Sequence, residues 1–246
     1  MSEFQVELIK LLQNVYQKYV KRKEERHLVP SEPTRAIRGT INPVAHYFED
    51  EFGRFLHKAL DSKYRILIDY PLQFPGRNNK MRPDVLILEN QTVKMILELK
   101  IDLGYEKENW RDKKNEQLDK LERYKEDTTY KEVVNGGKEP FPRSIKIINN
   151  VPFGTVILSQ KNGSYRSRDI LDECKRENCL IGEKVPYFHL VQDPKWHPND
   201  FVSYKQVDDY FNEFVDQLLD DDIDFMATAD WARLEAYLRS HLAFKL

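Results

Sequence analysis

The sequence predicts an α/β protein in which a central mixed β-sheet is flanked by helices. Three segments repeat apolar residues at spacings of three and four, which is typical of amphipathic helices; they are residues 3–23, residues 43–60 and the chain from 204 onward. Other segments hold short runs rich in valine, isoleucine and leucine, which is typical of strands; they are residues 64–72, 81–101, 154–160 and 185–191. The last two runs flank a helical segment at about 167–178, so a crossover with parallel pairing is expected.

Length and composition limit the class of protein. The 246 residues suffice for one domain, with a core at about 43–192 and helical additions at 1–30 and 200–246. No secretory signal pattern opens the chain and no run of about 18 apolar residues occurs, which predicts a soluble, cytoplasmic protein without membrane contact. Cys174 and Cys179 are too few for a disulfide scaffold and lack partners for a zinc site.

Charge is unevenly distributed along the chain. Residues 193–246 hold 5 lysines and arginines against 12 acidic residues, a net charge of −7, and the preceding residues hold 34 against 29, a net charge of +5. The net charge of −2 therefore conceals a basic region that could bind a polyanion.

The predicted hairpin at residues 81–101 brings two acids together. Its two apolar runs are separated by the polar residues ENQT, which indicate a turn. If the loop spans residues 90–92, counting outward along both strands sets Asp84 directly opposite Glu98. Like charges in facing positions are unfavourable in a sheet, so a feature that offsets their repulsion is expected.

A cation between the two acids would explain this arrangement. Side chains alternate along a strand, so Glu98 and Lys100 share one face with Ile96. Unpaired buried charges cost several kcal/mol, and a hard divalent ion with oxygen ligands suits two carboxylates best. We therefore expect Mg²⁺, with Mn²⁺ as the alternative.

The same residues carry a resemblance to a known family. Pro83-Asp84 and Glu98-Leu99-Lys100 resemble the PD-(D/E)xK signature of the restriction-endonuclease-like nuclease superfamily. The resemblance implies a restriction-endonuclease-like sheet in which Asp84 and Glu98 hold the metal and Lys100 positions or deprotonates the attacking water. The alternative is an edge hairpin whose Glu98 and Lys100 are solvated and whose Asp84 caps a turn.

The helix predicted to begin at Asn42 and Pro43 offers a further acid. Glu51 lies one turn from apolar residues on both sides, so it borders the core-facing side. In the superfamily, the helix before the hairpin often supplies an acid to the metal. The resemblance thus makes Glu51 the first candidate and Glu49 the second, and an ordinary solvated glutamate is the alternative.

Two loops offer cations for the phosphates of a nucleic acid. Arg77, Lys80 and Arg82 come immediately before Asp84, where they could hold phosphates that flank a cleaved bond or could form a solvated hairpin tip. Arg35 and Arg38 lie in a loop rich in proline. Guanidinium groups match phosphate oxygens, so these arginines could clamp a substrate, or they could pair with local acids.

A helix is expected at about 107–127, followed by a linker at 133–144. RecB-like members of the superfamily carry Gln-x-x-x-Tyr on the helix after the catalytic strand. Gln117 and Tyr124 are seven residues apart here, which departs from that pattern and leaves Gln117 as a weak candidate for substrate binding.

The remaining polar residues carry less specific signals. His189 alternates with apolar residues in a predicted strand and is interpreted as structural. Arg166 and Arg168 could reach a nucleic-acid backbone, although the pattern is generic. Acidic residues between the two C-terminal helices diverge in direction and are interpreted as solvated; they are Asp220, Asp221, Asp222 and Asp224.

The sequence thus predicts a Mg²⁺-dependent DNA endonuclease with a role in restriction or phage defence. A homodimer would suit the cutting of both DNA strands. A repair or recombination nuclease is the alternative enzyme. A nucleic-acid-binding protein on the same fold, without catalysis, is the alternative from another class.

Overall fold

The structure is a computed structural model that describes residues 1–24, 44–102, 110–132, 141–159, 186–191, 197–219 and 226–246. The described α-helices are α1 Glu3–Glu24, α2 Val44–Ala59, α3 Trp110–Arg123, α4 Tyr204–Leu219 and α5 Met226–His241. The described strands are β1 Tyr64–Ile68, β2 Leu72–Gln73, β3 Lys80–Met81, β4 Val85–Glu89, β5 Thr92–Lys100, β6 Thr128–Glu132, β7 Phe141–Ile147, β8 Phe153–Ser159 and β9 Tyr187–Val191. These elements confirm an α/β fold with a mixed, open sheet.

The long strand β5 organises the sheet. It pairs with β4 in antiparallel fashion on one side. On its other side, Thr92 and Val93 pair in parallel with β7, whereas Ile96 to Lys100 pair in parallel with β8. Strand β5 therefore joins two parts of the sheet, one continuing through β8 to β9 and the other through β7, β6 and β2 to β3.

The hairpin between β4 and β5 differs from the predicted one in its turn. Only Asn90 and Gln91 lie between the strands, and Asn90 adopts a left-handed conformation with φ 57°, which asparagine tolerates better than most residues. Lys94 is then an extra residue between two pairs of the ladder, a β-bulge. The shorter turn and the bulge offset each other, so the register beyond the bulge is the predicted one.

Two segments need correction. The strand predicted at 64–72 ends at Ile68, because Asp69 takes a left-handed conformation with φ 56°, and Leu72 begins a strand in another part of the sheet. The linker predicted at 133–144 instead overlaps β7, which pairs with β6. Ile145 and Ile147 alternate with the exposed Lys146 only at the end of β7, whereas the earlier part of that strand is exposed where it is described. Pairing with β6, which the sequence does not reveal, therefore defines this earlier part as a strand.

The predicted parallel pairing of the last two strands is confirmed, since β8 pairs with β9 in parallel. The helix predicted between them, at 167–178, lies outside the described residues. Within the described chain, no helix combines the length and the apolar character that crossing a membrane requires.

Helices cover both faces of the sheet. On one face, a layer rich in aromatic residues joins α1, α2, α4 and α5 to Leu97 and Leu99. On the other face, Leu121 of α3 packs in a second cluster with Leu86 and Ile96. Alternation along β5 therefore places Glu98 and Lys100 on the α3 side, away from the aromatic layer.

Candidate metal site

Two acids lie side by side where β4 begins and β5 ends. Val85 pairs with Leu97, so one further step along both chains sets Asp84 opposite Glu98, as predicted. Asp84 is held in place at its side chain and its backbone. Its Oδ2 accepts a hydrogen bond from the amide of Leu99 at 2.6 Å, and its carbonyl oxygen accepts one from the amide of Asp69 at 2.9 Å.

The surroundings of Asp84 disfavour its negative charge. The pKa of Asp84 is raised to about 6, first by burial and next by the negative charge of Glu98. The hydrogen bond from the Leu99 amide and the charge of Lys100 lower the pKa, and the charge of Glu49 raises it again. The protein groups around Asp84 thus do not fully offset the free-energy cost of burying its negative charge. A bound cation would offset the remainder.

Lys100 lies beside this pair of acids. Its Nζ is 3.2 Å from Oε2 of Glu98, and its side chain is about 30% exposed, whereas Glu98 is buried. The amine is therefore in contact with a candidate metal ligand and still reaches the surface.

Glu51 does not join the two acids, which corrects the first choice for the helix acid. It is buried between α1 and α2, where it accepts a hydrogen bond from Nδ2 of Asn14 at 3.0 Å and pairs with Lys18 and Arg54. Burial acts to raise the pKa of Glu51, but these hydrogen bonds and charges outweigh it and lower the pKa. Glu51 thus secures α1 against α2.

Glu49, the second choice, is the helix acid whose charge acts on Asp84. Its Oε2 also lies 3.5 Å from Nδ1 of His46, one turn earlier in α2. Glu49 and Glu51 are two residues apart, so they project from nearly opposite sides of the helix. The side that carries Glu51 faces α1.

The basic loop is only partly available to a ligand. Arg77 and Lys80 are exposed. Arg82 is occupied, because its Nη2 donates a hydrogen bond to Oδ2 of Asp69 at 2.7 Å. Four other predicted arginines lie outside the described residues, together with both cysteines and the acidic residues at 220–224; they are Arg35, Arg38, Arg166 and Arg168.

Gln117 lies on the same side of the sheet as the acids. Helix α3 runs back along β5, because residues just after it contact β7 near the start of β5. Gln117 precedes the buried Leu121 by one turn and so lies nearer to the end of β5 that carries Glu98. Its Oε1 is buried and has no hydrogen-bond partner among the described residues. Contact between Gln117 and a substrate stays a prediction.

His189 agrees with the structural interpretation. It is buried, its amide donates a hydrogen bond to Oδ2 of Asp230 at 3.0 Å, and its Nδ1 lies 3.6 Å from the same oxygen. Burial acts to raise the pKa of Asp230, but the hydrogen bonds from His189 and the charge of Arg233 lower it overall. The pair ties α5 to β9.

Thr155 was missed by the sequence analysis. It lies on β8 directly opposite Glu98, and its hydroxyl is buried without a hydrogen-bond partner among the described residues. The run GTVILS marks Thr155 as a polar residue in an apolar strand. The order of the strands, which brings it to Glu98, could not be predicted.

The acid pair fits a magnesium ion. Mg²⁺ keeps several of its waters and needs only one or two carboxylates from the protein, and Asp84 carries a charge whose cost the protein leaves uncompensated. In the described part of the chain, no group of three or more histidines, cysteines, aspartates and glutamates is arranged to hold a metal. A site here would therefore depend on two carboxylates and on waters or substrate oxygens.

Comparison with protein-family models, with curated proteins and with solved structures gave no match.

Proposed function

We propose that this protein is a metal-dependent nuclease that hydrolyses phosphodiester bonds, with DNA as its substrate. The observation that carries the proposal is the facing pair Asp84 and Glu98, with the amine of Lys100 3.2 Å from Glu98. Two acids and a lysine at the ends of adjacent strands also match the PD-(D/E)xK resemblance residue by residue. The described mixed sheet with helices on both faces supports the restriction-endonuclease-like fold that this resemblance implies.

Asp84 and Glu98 would hold the metal, with Mg²⁺ expected first and Mn²⁺ as the alternative. Bound at this position, the ion would polarise the scissile phosphate and acidify a water. Asp84 must be deprotonated to act as a ligand, and its raised pKa of about 6 means that a metal competes with a proton there. The hydrogen bond from the Leu99 amide fixes the direction of the carboxylate before any ligand binds.

Lys100 acts on the water that attacks the phosphorus. Hydrolysis requires this water to lose a proton while one bridging oxygen leaves the phosphorus and is protonated in turn. A neutral Lys100 amine would take the proton of the water, whereas a charged one would orient the water and offset charge on the phosphate. Contact with Glu98 keeps Nζ at the site in either state.

The exposed Arg77 and Lys80 would bind phosphates on either side of the cleaved bond. Arg35 and Arg38 are further candidates from the sequence. Such contacts suit an endonuclease that binds within a DNA chain, and restriction or phage defence in the cytoplasm is the role we propose. A homodimer would bring two such sites to the two DNA strands.

Cleavage of a supercoiled plasmid tests the proposal. Purified protein should convert the plasmid to nicked or linear DNA with Mg²⁺ or Mn²⁺ and should leave it intact with EDTA. Discrete fragments would support restriction, whereas a smear would indicate a nuclease without sequence preference. Intact plasmid under all metal conditions, from a protein that unfolds cooperatively, would overturn the proposal.

A second candidate is a nucleic-acid-binding protein without catalysis. The observation that favours it is the position of Glu51, which pairs with Lys18 and Arg54 and leaves two carboxylates at the hairpin. Such a protein would retard DNA in a gel with EDTA and would not cleave it when Mg²⁺ is added.

A further inference from the structure

The hydroxyl of Thr155 is an unusual polar group in this structure. Thr155 is 1% exposed, and its Oγ1 has no hydrogen-bond partner among the described residues. Thr128 is equally buried, but its Oγ1 donates a hydrogen bond to the carbonyl oxygen of Tyr124 at 2.6 Å. Buried polar groups are nearly always paired, so the hydroxyl of Thr155 needs a partner that the described residues do not supply.

The sheet places this hydroxyl at the acid pair. Thr155 and Glu98 are direct partners in the parallel ladder between β8 and β5, and neighbouring strands lie about 4.8 Å apart. Val156 and Leu158 belong to the aromatic layer. Alternation along β8 therefore turns Thr155 to the opposite face, which Glu98 and Lys100 share.

The chemistry of the neighbours favours water as the missing partner. A carboxylate such as Glu98 only accepts hydrogen bonds, and a charged lysine only donates them, whereas a threonine hydroxyl does both. A water bound to a cation donates two strong hydrogen bonds. It could therefore donate one to the Thr155 hydroxyl and one to a carboxylate of the pair.

We propose that Thr155 is a positioning residue whose hydroxyl holds a water of the magnesium shell beside Glu98. This inference rests on the proposed nuclease function and adds a residue to its site. Outer-shell partners of this kind typically change metal affinity or activity by about 10-fold to 100-fold. Without the metal, the same hydroxyl lowers the stability of the fold, because it is buried with no hydrogen-bond partner in the described part of the chain.

Two substitutions of Thr155 and one control separate these effects. Thr155→Val removes the hydroxyl with little change of shape, Thr155→Ser keeps it, and Thr128→Val removes a hydroxyl that has a partner. Each variant is measured by thermal unfolding in EDTA, by calorimetric titration with Mg²⁺, and by single-turnover cleavage.

Removal of the Thr155 hydroxyl should maintain or raise stability in EDTA but weaken Mg²⁺ binding. Thr155→Val should unfold in EDTA at a temperature equal to or above that of the wild type, yet bind Mg²⁺ about tenfold more weakly. Thr155→Ser should keep both metal affinity and cleavage near the wild-type values. Thr128→Val should unfold at a lower temperature and bind Mg²⁺ normally.

The outcomes distinguish this proposal from the function on which it rests. If the wild type binds Mg²⁺ and cleaves DNA, and Thr155→Val does both equally well, Thr155 has no positioning role and the nuclease function stands. A loss of metal affinity that Thr155→Ser shares would also overturn the role of the hydroxyl. If the wild type binds no Mg²⁺ and cleaves nothing, the nuclease function fails and this proposal fails with it.

Discussion

Glu51 and Asp84 belong to two regions of the protein that treat a buried negative charge in opposite ways. Between α1 and α2, Glu51 is surrounded by Asn14, Lys18 and Arg54, and its pKa is lowered although burial acts to raise it. At the hairpin, burial and the neighbouring Glu98 raise the pKa of Asp84 to about 6.

The difference distinguishes Glu51, an acid that stabilises the fold, from Asp84, an acid that is suited to binding a cation. Glu51 has partners for its charge within the chain, so an added cation would gain little there. The hairpin carboxylates repel each other, with Lys100 as a partial counter-charge, so a cation would gain much more. A perturbed acid beside a second acid is therefore the better candidate for function.

The largest expected effect compares Asp84→Asn with Glu51→Gln. Asparagine can still accept the hydrogen bond from the Leu99 amide but loses the charge, so metal-dependent cleavage should fall by about a thousandfold or more, since a metal supplies several kcal/mol to such reactions. Glu51→Gln should cleave at a rate within about threefold of the wild type. Single-turnover cleavage with saturating Mg²⁺ measures both. Similar losses in the two variants would remove the distinction between the regions.

Lys100→Ala should lower single-turnover cleavage by about a hundredfold, because a positioned acid or base typically contributes at least that much. Metal and DNA affinity should change little, since a charged lysine is not a metal ligand. Lys94→Ala is the matched control, because Lys94 lies on the same strand, is equally exposed and pairs with Glu89. Calorimetric Mg²⁺ titration accompanies the rate measurement. A loss of metal affinity in Lys100→Ala would mean that the lysine holds the acids together.

The pH dependence of stability should have opposite signs in the two regions. In EDTA, the unfolded chain loses the Asp84 proton near pH 3.8, whereas the folded protein keeps it until about pH 6. Folding stability from this group should therefore fall by about 3 kcal/mol between these pH values. Glu51 has a lowered pKa in the folded state, so its contribution is present above pH 4.5 and is lost as the pH falls.

Denaturant unfolding at several pH values checks this prediction. Asp84→Asn should be more stable than the wild type above pH 6 and equal to it below pH 3.8. Glu51→Gln should be less stable at neutral pH by about 1–2 kcal/mol, a modest value because Lys18 and Arg54 remain partly exposed. If Asp84→Asn destabilises the protein at neutral pH, the carboxylate has a structural partner and resembles Glu51.

The smallest effect concerns the exposed cations near the hairpin. Replacing Arg77 and Lys80 with alanine should make the plot of log DNA affinity against log salt concentration less steep, by up to about 1.8 in slope. The reason is that DNA binding releases about 0.9 fewer counterions for each phosphate contact that is lost. Lys10 and Lys21, which are exposed on α1, form a matched pair of control substitutions. Binding in Ca²⁺ at several salt concentrations measures the slope. An equal change in both double variants would indicate general charge rather than a contact surface.

The sequence was sufficient for the elements whose pattern is local. The spacing of apolar residues predicted helices α1 and α2, and runs rich in valine and isoleucine predicted the strands. The opposition of Asp84 and Glu98 was also predicted correctly, although the turn was not. A two-residue turn at Asn90 and a bulge at Lys94 together consume the same length of chain as the predicted three-residue turn.

The rest depends on contacts between residues that are distant in the chain. Lys18 and Arg54 decide the role of Glu51, and only the packing of α1 on α2 brings Lys18 there. The apolar residues of β6 and β7 are too few to reveal that these two strands pair with each other. Thr155 reaches Glu98 only because β8 lies next to β5, and strand order is a property of the whole sheet.

The bulge at Lys94 determines which length changes this hairpin could accept during evolution. Lys94 has no facing residue on β4, and Val93 and Met95 on either side of it already belong to opposite faces of the sheet. Deletion of Lys94 alone would therefore leave a regular strand in which Leu97 still faces the aromatic layer and Glu98 still faces α3. The number of residues between Asp84 and Glu98 could thus change by one, as the bulge comes and goes, without separating the two acids.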